Sequence, residues 1–149
     1  MDPLSITASV VGIGGAVATV VKALKDISGK LKQANLTILS ICSESSSVHA
    51  ALGQIETIFR RHEEELLVRF EQQPALASAF DTSLTGCALL YSCLETEVKD
   101  LQASLLKDGS LDWTARFKTV WRQGDMELMV GQIRGQGAAL NILLQGLQT

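Results

Sequence analysis

The sequence predicts an all-α fold, an up-down bundle of four to five long helices that begins with a hydrophobic N-terminal helix. Apolar residues recur at alternating spacings of four and three over long spans, as in packed helices. No segment alternates with period two between turn residues, and the 149 residues contain only two prolines. Hydrophobic residues make up 46% of the chain but aromatic residues only 5%, which favours aliphatic packing between helices. We find no linker or internal repeat and expect a single domain over 1–149.

The hydrophobic N-terminal helix is predicted within residues 1–27. Asp2 followed by Pro3 is a helix-start signature, because the carboxylate can accept from unpaired backbone N–H groups and proline loses no bond at the first helical position. No charged residue occurs from Leu4 to Val21. Such a helix is either buried in protein or inserted in lipid, and a bilayer span needs about twenty apolar residues. No basic residue precedes the run, so it does not resemble a secretory signal.

Small residues form a stripe along this helix, since Ala8, Gly12 and Ala16 recur every four residues. Glycine inside a helix costs about 0.5–1 kcal/mol relative to alanine. Close approach of a neighbouring helix would explain the glycines, and so would a helix that is meant to leave its bundle. Lys22 and Lys25 follow the apolar run, where they suit either the helix C-terminus or anionic lipid headgroups.

Three further helical regions are expected. The second runs from about Lys32 to Phe70, with a break considered within it, and its poor helix formers Ser43–Ser47 are expected to bend or loosen the helix. The third ends near Asp108, and the fourth covers about Asp112 to Leu147, with a possible break at Gly124. The residues predicted to face the core are Ile41, Ser45, Val48, Leu52, Ile55 and Phe59; Phe80, Leu84, Cys87, Tyr91, Leu94, Val98, Leu101 and Leu105; and Met126, Val130, Ile133, Gly137, Leu140, Leu144 and Leu147.

Catalytic and metal-binding patterns are not apparent, and we expect neither an enzyme nor a cofactor. The three cysteines, Cys42, Cys87 and Cys93, are odd in number and lie in apolar helical patterns, which predicts reduced and buried thiols. With only two histidines, a histidine-based metal site is not expected, and His49 is interpreted as a partly buried polar residue beside a core position. The net charge of −3 argues against nucleic-acid binding.

The two ends of the chain carry a family resemblance. The opening MDPLSITASV at 1–10 and the ending RGQGAALNILLQ at 134–145, which follows Trp121, resemble the N-terminal domains of fungal STAND (NLR-like) proteins, in the HeLo-like group. The resemblance implies a helical bundle related to the cell-death execution bundle of mixed lineage kinase domain-like protein. In that group the hydrophobic N-terminal helix is released and acts on the plasma membrane after oligomerisation, triggered by a downstream NACHT or similar domain or by an amyloid-forming motif.

The resemblance therefore implies a membrane-targeting, oligomerising domain of a fungal programmed-cell-death, heterokaryon-incompatibility or innate-immunity effector. It would be cytoplasmic and move to the plasma membrane on activation, with membrane lipids, anionic ones among them, and further copies of itself as partners. The residues expected to act are Leu4, Ile6, Val10, Ile13 and Val17 in membrane insertion, Ala8, Gly12 and Ala16 in helix packing and oligomerisation, and Lys22 and Lys25 at lipid headgroups.

The alternative is a soluble signalling or oligomerisation module of an NLR-like receptor that forms no pore. In that case the first helix is a permanent core element, and a bundle surface pairs with like domains. A Gly12→Glu substitution is then expected to unfold the protein, because a buried unpaired charge is costly. In a membrane-inserting protein the same substitution is expected to abolish membrane activity.

Overall fold

Five α-helices account for nearly all of the chain that the computed structural model describes, residues 3–31, 35–107, 117 and 121–148, and no strand occurs within these residues. The all-α prediction is confirmed. In chain order the helices are α1 (Pro3–Lys30), α2 (Leu36–Arg61), α3 (Glu63–Gln72), α4 (Pro74–Lys107) and α5 (Gln123–Gln148).

The four long helices stand at the corners of a square, in the order α1, α2, α5, α4. Helix α1 packs against α2 and α4, and α5 packs against the same two helices. Gln123 donates to the Thr37 hydroxyl at 2.7 Å, and Arg134 pairs with Glu44 at 3.0 Å farther along, so α2 and α5 run in the same direction. Helices α1 and α4 run the opposite way. The short α3 connects α2 to α4 at one end of the bundle.

Helix α2 continues through Ser43–Ser47 without interruption, so these poor helix formers do not end it. The serines are accommodated by hydrogen bonds. Ser46 donates to the carbonyl oxygen of Cys42 at 2.9 Å, one turn earlier, and Ser45 bonds to Tyr91 in the core. Ser46 bonds back onto its own helix, a contact that helices tolerate, and Ser45 bonds to another helix, so neither hydroxyl ends α2.

The break considered within the second region is confirmed: it falls at His62 and divides the region into α2 and α3. His62 has a non-helical backbone (φ −127°, ψ 36°), and its carbonyl oxygen accepts from the N–H of Leu66 as α3 begins. Three consecutive glutamates from Glu63 form the first turn of α3. Carboxylates there are stabilised by the helix macrodipole, so this acidic sequence favours a helix start.

The remaining helix limits differ less from expectation. Helix α1 extends to Lys30, past the predicted end at Ile27, and α4 begins at Pro74 as its proline indicates. Residues 121–122 are not helical and α5 begins at Gln123, so the chain is interrupted just before Gly124, next to the predicted break. The predicted start of the fourth region, at about Asp112, lies outside the described residues.

Most of the residues predicted to face the core are buried. Those found buried are Ile41, Ser45, Val48, Leu52, Ile55, Phe59, Phe80, Leu84, Cys87, Tyr91, Leu94, Val98, Leu101, Met126, Val130, Ile133, Gly137, Leu140 and Leu144. Leu147 is half-buried, and the side chain of Leu105 lies outside the described residues. The rings of Phe59, Phe70 and Phe80 pack at 5.4–5.9 Å between centroids near α3, while Phe117 and Trp121 pack at 5.9 Å near the start of α5.

Candidate functional site

The buried face of α1 consists of the residues predicted to insert into a membrane. Ile6, Val10, Ile13 and Val17 are 0%, 1%, 6% and 1% exposed and belong to the core shared with α2 and α4. The side chain of Leu4 lies outside the described residues. In this arrangement these side chains contact protein, so they can reach lipid only if α1 leaves the bundle.

The small-residue stripe lies on the opposite side of α1. Ala8 and Gly12 are exposed and Ala16 is half-buried. A Cβ atom added at Gly12 or at Gly15 would meet no atom within 4 Å. Close approach of a neighbouring helix inside this bundle therefore does not explain these glycines. The expectation that Gly12→Glu unfolds a resting bundle assumed a buried position, whereas Gly12 is exposed.

The outward face of α1 carries no charge along most of its length. Between Ser5 and Val21 its exposed positions are occupied by Ser, Ala, Val, Gly and Thr, and Val11 is 48% exposed. The outward face of α4, by comparison, carries Glu97, Lys99 and Asp100. A bundle helix needs only one apolar stripe and is normally polar elsewhere. Helix α1 is thus apolar on its buried face and uncharged on its outward face.

The segment Ser5–Lys30 is long enough to cross a bilayer and contains an 18-residue window with a mean hydropathy of 1.7, and it is the one such helix within the described residues. Length and composition alone do not distinguish a membrane helix from a core helix or a signal sequence. The uncharged outward face is the feature that a core helix does not require.

A groove of about 450 Å³ lies between α1 and α2 and contains both lysines predicted to bind headgroups. Lys22, Lys25, Asp26 and His49 line it, together with apolar side chains such as Val21. His49 is exposed and not partly buried as predicted, because one helical step of 100° from buried Val48 carries it to the edge of α2. Within the described chain neither lysine forms an ion pair.

A second groove, of about 400 Å³, lies between α4 and α5. Glu97, Asp100 and Asp125 stand around it, and the exposed Leu128 contributes apolar surface. None of these carboxylates is ion-paired with a described residue. Sequence reasoning missed this acidic groove. The spacing of Glu97 and Asp100 places them on one helix face, but only the packing of α5 brings Asp125 beside them.

The cysteines divide into two classes. Cys42 and Cys87 are buried, as predicted, but Cys93 is exposed, which corrects the prediction for that residue. Burial raises the pKa of Cys87 to about 11, and it also raises the pKa of Cys42 against the opposing charge of Lys25. Both buried thiols therefore stay protonated at neutral pH and are poor nucleophiles. Among the described residues no group of three His, Cys, Asp or Glu side chains could hold a metal ion.

Together, the fold and these surfaces define an all-α helical bundle with an apolar N-terminal helix and two oppositely charged grooves. No family model, curated protein or solved structure matches the chain.

Proposed function

We propose that this chain is a membrane-targeting, oligomerising domain of a cell-death or innate-immunity effector of the HeLo-like kind. In the resting state α1 is packed in the bundle, in the cytoplasm. On activation by an upstream NLR-like or amyloid-type trigger, α1 leaves the bundle at the plasma membrane and permeabilises it. The resemblance of the chain ends to fungal STAND proteins supports the biological setting. The uncharged outward face of α1 supports the membrane step.

The uncharged outward face carries the proposal because it removes the main barrier to insertion. A charged side chain at the centre of a bilayer costs at least about 2.5–3.5 kcal/mol. Helix α1 has no charge from Leu4 to Val21, roughly eighteen residues that span about 27 Å, close to the 30 Å thickness of the hydrocarbon layer. As a helix it would also satisfy its own backbone hydrogen bonds in lipid.

The two faces of α1 would have different roles after release. Ile6, Val10 and Ile13, now buried, would face acyl chains. The stripe that includes Ala8 and Gly12 would let the α1 helices of several copies pack closely, since small residues permit close approach of helix backbones in lipid. Lys22 and Lys25 lie just past the apolar run, where anionic headgroups would attract them.

Gly12→Glu provides a direct test, because Gly12 is exposed in the resting bundle and a Cβ atom there meets no atom within 4 Å. Dye release from liposomes with and without anionic lipid would be measured for the wild-type chain and for this variant. We expect the variant to retain the helical circular dichroism of the wild type and to lose most dye release, because the carboxylate would enter the bilayer.

Gly53→Glu is the matched control. Gly53 lies on the exposed face of α2, and a Cβ there also meets no atom within 4 Å. This variant introduces the same residue at a position that does not enter the membrane, so it should release dye as the wild type does. Equal dye release by Gly12→Glu and wild type would contradict the insertion of α1.

One observation favours the alternative, a soluble signalling module. The buried stripe of α1 is as deeply buried as that of α4, since the α1 residues Ile6 and Leu24 are both 0% exposed. Amide hydrogen exchange distinguishes the two functions. A releasable α1 should exchange faster than the central part of α4, around Tyr91. Exchange of α1 as slow as that of α4, together with no dye release by the wild type, would support the signalling module.

A further inference from the structure

The two charged grooves lie on opposite sides of the bundle. The order around the square is α1, α2, α5, α4, so the side formed by α1 and α2 faces away from the side formed by α4 and α5. We name these the basic side, with Lys22 and Lys25, and the acidic side, with Glu97, Asp100 and Asp125. Asp26 reduces the charge of the basic side but leaves it positive.

The charges of the acidic side stand near one end of the bundle. The hydrogen bond between Tyr91 and Ser45 at 2.8 Å marks a common level in α4 and α2. Glu97 and Asp100 lie six and nine residues beyond Tyr91 along α4, which places them about 9 and 14 Å above that level. Asp125 lies in the first turn of α5, at the same end.

The charges of the basic side stand at nearly the same height. His49 lies one turn beyond Ser45 in α2, which runs the other way, so it is about 6 Å below the common level. Gly14 of α1 faces His49. Lys22 and Lys25 lie eight and eleven residues beyond Gly14, which places them about 6 and 10 Å above the common level. The cations and the carboxylates therefore overlap in height.

We propose that copies of the resting bundle associate side by side, with the basic side of one copy against the acidic side of the next. The partner is a second copy of this chain, because opposite charges at matching heights on opposite sides let parallel copies meet without a shift along the axis. Both grooves also offer apolar surface, from Ala18 and Val21 on one side and Leu90 and Leu128 on the other. Such a heterologous contact generates a ring or an open row.

This inference rests on the self-association included in the proposed function, but it does not depend on membrane insertion. Parallel copies would all present α1 with the same orientation, so an assembled row could release several α1 helices toward one membrane. A second copy and lipid headgroups would use the same two lysines. The assembly therefore belongs to the resting bundle, before α1 reaches lipid.

Charge reversal tests the contact in solution without lipid, by sedimentation velocity at low and at high salt. Variant A carries Glu97→Lys and Asp100→Lys, and variant B carries Lys22→Glu and Lys25→Glu. We expect the wild type to associate at low salt and to dissociate at high salt, because screening weakens charge pairs. Each variant alone should bind itself at least about tenfold more weakly, because like charges then face each other.

An equimolar mixture of A and B should recover association, because each altered side then meets a side of opposite charge. The control variant, Glu71→Lys with Asp81→Lys, makes the same change in net charge as variant A, but at exposed positions away from the grooves. It should associate no more weakly than the wild type. Circular dichroism would establish that every variant is folded.

A wild type that stays monomeric at low salt would overturn the inference, and so would a mixture that associates no better than A or B alone. Dye release by a wild type that is monomeric in solution would overturn this contact while leaving membrane action intact. Association that follows the charge pattern, with no dye release, would instead support the contact and contradict the membrane function.

Discussion

Tyr91 donates a hydrogen bond from its hydroxyl group to the hydroxyl oxygen of Ser45 at 2.8 Å, and neither residue is exposed to solvent. The bond joins α4 to α2, the two helices at opposite corners of the square. Ser45 is the one buried polar residue of the described chain. A buried hydroxyl without a partner is costly, so this pair favours one rotational setting of α2 relative to α4.

Removing the donor should leave the Ser45 hydroxyl unpaired. We expect Tyr91→Phe to lower the free energy of unfolding by about 1–2 kcal/mol, from the lost bond and the unsatisfied group. The double variant, Tyr91→Phe with Ser45→Ala, should lose less free energy of unfolding than the sum of the losses in the two single variants. The coupling energy from this double-mutant cycle should be about 1 kcal/mol. Urea unfolding measures all four proteins. Additive effects would show that the bond does not contribute to stability.

Alkaline pH should destabilise the fold through Tyr91. Burial raises its pKa from the ordinary 10.0 to about 12, against the opposing effect of the Ser45 hydrogen bond. Because the folded-state pKa lies above the unfolded value, the stability is fully present below pH 10 and is lost as pH rises toward 12. Urea unfolding at pH 9 and at pH 11 should show a smaller loss for Tyr91→Phe than for wild type. If both proteins lost the same free energy of unfolding between pH 9 and pH 11, the effect would come from other groups, Cys87 among them.

The two faces of α1 should respond oppositely to small changes. Ile6→Ala removes a fully buried side chain and should lower the free energy of unfolding by about 2–5 kcal/mol. Gly12→Ala adds a methyl group in open space and should raise it by about 0.5–1 kcal/mol, because alanine is the better helix former. Thermal or urea unfolding measures both. Destabilisation by Gly12→Ala would mean that the small-residue face is packed and not exposed.

Arg69 links α3 to the end of α5. Its guanidinium donates to the carbonyl oxygens of Gly146 and Leu147 at 2.7 and 3.4 Å, where the last carbonyls of a helix lack intrahelical donors. Arg69→Met should therefore lower the free energy of unfolding by about 1–2 kcal/mol. The control Arg60→Met removes an exposed pair with Glu56 and should cost at most about 0.5 kcal/mol. Equal losses would contradict a specific role for Arg69.

Helical periodicity was sufficient to predict the core, because a stripe that must be buried leaves a direct trace in the sequence. The predicted core residues around Tyr91 and Val130 were found buried, except that Leu147 is half-buried and the Leu105 side chain lies outside the described residues. The sequence indicated a break in the second region but not its position, and it marked Ser43–Ser47 as poor helix formers although that segment stays helical. The Ser46 hydroxyl bonds back to a carbonyl oxygen of its own helix, and the Ser45 hydroxyl bonds to a partner 46 residues away.

The sequence by itself determined the helices, their buried stripes and the uncharged run from Leu4 to Val21, because spacing and composition along one chain set these features. Only the tertiary structure decided which face of α1 is buried, since both its branched and its small residues can pack. It also placed Gly12 in open space and brought Asp125 beside Glu97. These outcomes depend on how each helix is rotated about its axis and which helix lies next to it, and both are set by contacts between residues distant in sequence.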